Sequence, residues 1–197
     1  MGVLANGISA RDTNSDGSGA GGLERVRPHL KGEYLAMVHS IDLALRVARL
    51  EAERAITRLI SDLGQAFDSG PSASALRGLF TQDAIFKIDH YDTLHGADGI
   101  ADGVAGNAEN GFRWTLHYLV SPRIDLSEDG ASADVSFLLW EPATAASGRA
   151  YWIGGNYVAR AVAAEDRWRF AHLRLNAELI SHYPEGWHGK PDALDRA

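Results

Sequence analysis

Between Ile56 and Phe67 the apolar side chains fall at Ile56, Leu59, Ile60, Leu63 and Phe67, offsets of 0, 3, 4, 7 and 11. That spacing puts them on one face of an α-helix. The helix is predicted to run from about Gly32 to Phe67. Ser40 or Asp42 could cap a second start within it. It should end at Ser69-Gly70-Pro71, where glycine suits the left-handed C-cap and proline cannot continue. A short helix is expected over Ala73 to Phe80, a strand over Asp83 to Asp89 and a third helix over Ala97 to Asn107.

The pattern then changes. Trp114–Leu126, Ala133–Trp140, Arg149–Ala161 and Trp168–Leu179 read as strands, separated by SEDG, PATAASG and AAED, which are turn sequences. Helices followed by an antiparallel sheet predict an α+β fold. Residues 1–24, rich in Gly, Ser, Asn and Asp, are expected to form a flexible tail. A single domain is expected over 25–187, with a polar tail from His188 to Ala197.

Composition narrows the setting. The chain has 197 residues, 45% hydrophobic, enough for one core. Its net charge of -7 argues against a nucleic-acid partner. There is no cysteine, so neither a disulfide nor a thiolate metal site is available. No apolar run approaches the roughly 20 residues of a membrane span. The start lacks the basic and apolar regions of a signal peptide, and Asn6 stands where a myristoylation signal prefers Ser or Thr. A soluble, cytoplasmic protein is expected.

One residue interrupts the apolar run WTLHYLVS. Read alone, His117 could be a hydrogen-bonded core residue, a metal ligand or a proton carrier, and the first is the simplest. Metal binding finds little support elsewhere. His90 and His95, beside Asp89 and Asp92, are five apart, and His182 and His188 are six apart; neither is a tight ligand spacing. No G-x-S-x-G elbow is present.

The order of elements and motifs adds a resemblance. AFDSG ends the long helix. It is followed by LFTQDAIF (Leu79–Phe86), HGADGI (His95–Ile100), TLHYLVSPRIDLSEDGASADV (Thr115–Val135), GGNYVARAV (Gly154–Val162) and RWRFAHLRL (Arg167–Leu175). Over about Val47 to Trp187 this resembles the SnoaL-like branch of the NTF2-like superfamily, which includes scytalone dehydratase, bile-acid dehydratase and polyketide cyclases. The resemblance implies a cone: a curved mixed sheet wrapped around three helices, here with an extra N-terminal helical segment. It also implies catalysis without metal or organic cofactor, and a homodimer or homotrimer formed through the outer face of the sheet.

By that resemblance His117 matches the general base of the dehydratases, and Asp68 the aspartate that orients it. A carboxylate on the far imidazole nitrogen fixes the tautomer and raises basicity. Asn156 matches a substrate-holding asparagine and shares strand parity with Trp152 and Gly154; Gly-Gly-Asn is equally ordinary bulge chemistry. Phe67 and Leu63 stand where the relatives carry tyrosines, and Phe137 near a second histidine, so the acid is missing. His90, Tyr91 and His172, the last sharing parity with Trp168 and Phe170, are further candidates for the pocket. Tyr118 and Tyr157 have the opposite parity and are expected on the outer face. Trp114, Trp140, Trp152, Phe137 and Trp187 would suit an aromatic or polycyclic substrate.

These residues predict a cofactor-independent lyase. It would release water, or a small carbon fragment by retro-aldol cleavage. An isomerase or cyclase would need the same base. A non-catalytic ligand-binding module and an oxygenase small subunit are the rivals of another class.

Overall fold

The computed structural model describes residues 28–70, 72–89, 91–165 and 167–183. Both expected tails, His90, Trp187 and His188 lie outside them. The chain divides into two units, residues 1–42 and 43–197, each taken by itself below.

The described part of the first unit is helical throughout. It belongs to α1 (Pro28–Asp68), which continues into the second unit without the break that Ser40 or Asp42 could have made. The reason is local: the helix holds no proline after its first residue and no glycine between Gly32 and Gly64. In the second unit α1 buries Ile56, Leu59, Ile60, Leu63 and Phe67, the predicted face.

After α1 come α2 (Ala73–Arg77), capped by the Ser72 hydroxyl accepting from the Ala75 amide, and β1 (Phe80–Ile88). Phe80, assigned to the short helix by pattern, opens the strand instead. β2 (Leu94–His95) and α3 (Gly96–Asn110) follow, then β3 (Phe112–Thr115), β4 (Tyr118–Leu126), β5 (Ser132–Ala145), β6 (Ala150–Ala164) and β7 (Arg167–His182). The sheet order is β2-β1-β7-β6-β5-β3, with β4 also on β5. Among the described strands only β1 and β7 pair in parallel. It is a curved, half-barrel mixed sheet with three helices, the NTF2-like cone.

One predicted strand is two. β3 and β4 lie end to end along β5, interrupted at Leu116 and His117. Pro142 of β5 explains the gap. Its carbonyl accepts from the Leu116 amide at 3.1 Å, but it has no N–H to return, so the ladder lapses there.

The inner face of β5 carries Ala133, Val135, Phe137, Leu139, Glu141 and Ala143, all buried. On β6 the matching inward positions are Ile153, Tyr157, Ala159 and Ala161. Phe137 stacks on Tyr157 with ring centroids 4.9 Å apart. Phe67, Phe80, Phe86 and Phe170 form the adjoining aromatic core.

Candidate active site

The interruption places His117. Its neighbours Thr115 and Tyr118 pair with Ala143 and Trp140, which sets His117 opposite Glu141. Its backbone amide donates to Asp68 Oδ2 at 2.9 Å. Its ring Nδ1 lies 2.7 Å from Asp68 Oδ1, which also accepts from the Thr115 hydroxyl at 3.2 Å. Gly64 lets α1 come this close: a Cβ there would sit 3.4 Å from Leu119 Cδ1 and 3.7 Å from the His117 carbonyl oxygen. Phe67, one residue before Asp68, covers the imidazole at a centroid distance of 4.9 Å.

The second imidazole nitrogen also meets a carboxylate. His117 Nε2 is 3.3 Å from Glu141 Oε2. The His117 side chain is 9% exposed and that of Glu141 7%, against 21% for Asp68. One ring is thus held between two carboxyl groups in a nearly closed space.

The two carboxyls differ. Burial pushes Asp68 up, but hydrogen bonds from the His117 ring and amide, the charge of the ring and the Thr115 hydroxyl outweigh it, so Asp68 stays below the usual carboxylate value. Glu141 is raised, chiefly by burial; the nearby imidazolium lowers it and the Asp68 charge raises it further. Burial and then the charge of Glu141 also raise the phenols of Tyr91 and Tyr157. The site therefore holds one carboxyl that favours its ionised form and one that favours its proton.

The candidates divide by face. Asp68, His117, Phe67 and Phe137 are on the inside, and the field of Glu141 reaches Tyr91, whose residue is 46% exposed. Asn156 is not inside. It pairs with Leu138 on the outer face, donates to Glu178 Oε1 at 2.9 Å and accepts from Asn176 at 2.9 Å. Trp152 shares that face, stacked on Trp140 at 5.4 Å. Gly154 frees no space for a ligand, since a Cβ would stand 3.3 Å from the Trp140 ring. Parity grouped these three correctly but assigned them to the wrong side.

Tyr157, expected outside, is 2% exposed within the core; Tyr118 is outside at 51%. His172 is also on the outer face, opposite Arg160 and Ile85. Its parity with Phe170 fails because a bulge leaves Ala171 unpaired: Phe170 pairs with Ala161 and His172 with Arg160.

Glu141 escaped the sequence reading because the strand was ended at Trp140. The signal was present: Glu141 continues the alternate series Ala133, Val135, Phe137 and Leu139, so a strand one residue longer puts a carboxyl into the core. Among the described residues, no group of three or more His, Asp or Glu is arranged to hold a metal ion. No described helix is long and apolar enough to cross a membrane. Two cavities, of about 770 and 560 Å³, lie elsewhere; neither is lined by Asp68, His117 or Glu141.

The fold is that of an NTF2-like protein. A structure from Salmonella enterica of that superfamily aligns with a TM-score of 0.59 at 17% identity, over 73% of this chain and 99% of its own. The SnoaL-like domain model matches residues 48–174, and the chain belongs to that family. A hexachlorocyclohexane dehydrochlorinase, LinA type 2, aligns with a TM-score of 0.65 at 19% identity over 77% of this chain and 99% of its own. A scytalone dehydratase-like protein from Novosphingobium aromaticivorans gives 0.64 at 21%, over 77% and 99%. No curated protein matches the chain.

Proposed function

We propose that the protein is a cofactor-independent lyase that removes H–X from a small hydrophobic substrate. His117 acts as the base and Glu141 as the acid. The observation that carries this is the imidazole held between an ionised and a proton-favouring carboxyl. Two structural neighbours are named for eliminations, of hydrogen chloride and of water.

In the reaction His117 Nε2 takes a proton from an activated C–H, the electron pair forms the double bond, and the leaving hydroxyl takes the Glu141 proton and departs as water. Asp68 fixes the ring and stabilises the imidazolium. The 3.3 Å contact then returns the proton from His117 to Glu141, which restores both groups. Glu141 thereby supplies the acid that Phe67 and Leu63 cannot. Retro-aldol cleavage would use the same pair, with the proton taken from a hydroxyl and returned to carbon. Isomerisation or ring closure would use it without a leaving group.

The closure around His117 favours one other reading, a non-catalytic module whose buried triad is structural. A panel of aromatic β-hydroxy ketones and their β-chloro analogues, followed by alkene absorbance, separates the two. His117→Ala should slow any turnover by about 10²–10⁴-fold. Glu141→Gln should slow loss of water and spare loss of chloride, which needs no proton. Turnover that ignores His117→Ala would remove the mechanism, and an inert wild-type chain across a broad panel would favour the module.

A further inference from the structure

α1 begins 20 residues before the matched family domain, at Pro28 against residue 48. This added stretch is unlike a solvated helix. From Tyr34 to Leu50 nine large apolar side chains are exposed, between 42% for Val38 and 64% for Leu50. They do not all share one side: at about 100° per residue, Leu43, Val47 and Leu50 stand opposite Tyr34, Val38, Ile41 and Leu45. Four of them, Tyr34, Val38, Ile41 and Leu45, alternate in steps of four and three, the heptad spacing of a paired helix.

The same spacing continues as Ala48, Ala52, Ala55 and Leu59. In the second unit these residues floor the cavity of about 770 Å³, with Leu79 and Trp168 among its other walls. One segment thus offers large, half-exposed side chains, and another offers an open groove floored by small ones and walled in part by Glu51, Arg58, Asp62 and Arg167.

We infer that the added segment of α1 docks into this groove on a second copy of the chain, in an antiparallel, two-fold pair. The heptad spacing allows registers seven residues apart, and the one proposed is centred on Ile41 and Leu45. With Ile41 against Leu45 of the partner subunit, Val38 falls on Ala48 and Tyr34 on Ala52, and the same contacts repeat across the axis. Val38 and Tyr34 then meet alanines on either side of the central Ile41–Leu45 pair, which lets the two helices approach closely there. Parallel pairing would set Tyr34 on Tyr34 and Ala52 on Ala52, crowding one end and leaving the groove empty. The paired stretch is about 27 Å long on each helix.

The absence of cysteine makes the test clean. Sedimentation of the full-length wild type at micromolar concentration should give a dimer, and Ile41→Glu a monomer with an unchanged circular-dichroism spectrum. Val38→Cys with Ala48→Cys should form a covalent dimer under mild oxidation in dilute solution, whereas Val38→Cys alone should not. Crosslinking by the single variant would overturn the antiparallel register. A monomeric wild type would overturn the proposal. So would a dimer that survives Ile41→Glu but is lost in Tyr118→Glu, because the outer sheet face would then be the interface.

Discussion

Two of the polar clusters described in the second unit lie on opposite faces of the same sheet. Inside, Asp68, His117 and Glu141 are joined end to end. Outside, Asn176 donates to Asn156 and Asn156 to Glu178. Thr115 also joins the inner cluster, and Asn176 links the outer one to Arg174 and Asp89; each bridges two or more elements. The difference is solvent. Inside, burial is the largest influence on both carboxyls, and partners decide which way each moves. The outer carboxylate of Glu178 is exposed on its strand, where such bonds contribute little net stability. Polar connectivity alone does not make a reactive site; connectivity in a space that excludes water does.

The largest expected contrast is in turnover. His117→Ala should lower it by about 10²–10⁴-fold, while Asn156→Ala should leave it within about twofold, the effect of a surface change of some 0.5 kcal/mol or less. A comparable loss in both variants, measured as kcat/KM on one substrate, would erase the distinction between the faces.

Next is Asp68→Asn. It weakens three contacts at once and should cost about 1–3 kcal/mol in denaturant titration at pH 7. Because Asp68 is held below its ordinary value of 3.8, its contribution is present above that pH and is lost as pH falls through the folded-state value. The gap between wild type and variant should therefore narrow toward acid. A gap that widens on acidification would contradict the assigned ionisation.

Glu141→Gln should show the opposite slope. Glu141 is raised above 4.5, so its contribution is complete below that value and declines as pH rises through the folded-state value. The variant should gain on the wild type between acid and neutral pH, which melting temperatures across that range would reveal. An equal offset at every pH would mean that Glu141 is not the proton-favouring partner.

The smallest effect is on the outer face. Asn156→Ala should change stability by about 0.5 kcal/mol or less in denaturant titration. A larger loss would give the outer cluster a structural weight that its exposure does not suggest.

Some of the molecule is determined by the chain alone. The spacing of Ile56, Leu59, Ile60, Leu63 and Phe67 requires a helix buried on one side, because only one face of a 3.6-residue period can meet a core. The same logic identifies the strands and the turns between them. The Asp68–His117 contact was legible only through the resemblance in motif order, since 49 residues separate the pair. Three features depended on tertiary structure. Alternation along a strand tells which residues share a face but not which face is inside, so Asn156 and Tyr157 were exchanged. One extra residue at Ala171 reversed the parity of His172. The missing N–H of Pro142 split a strand, and the flanking register set His117 opposite Glu141, a carboxyl whose chemistry depends on the water its neighbours exclude. A local pattern carries period, whereas side, register and solvent access belong to the assembled sheet.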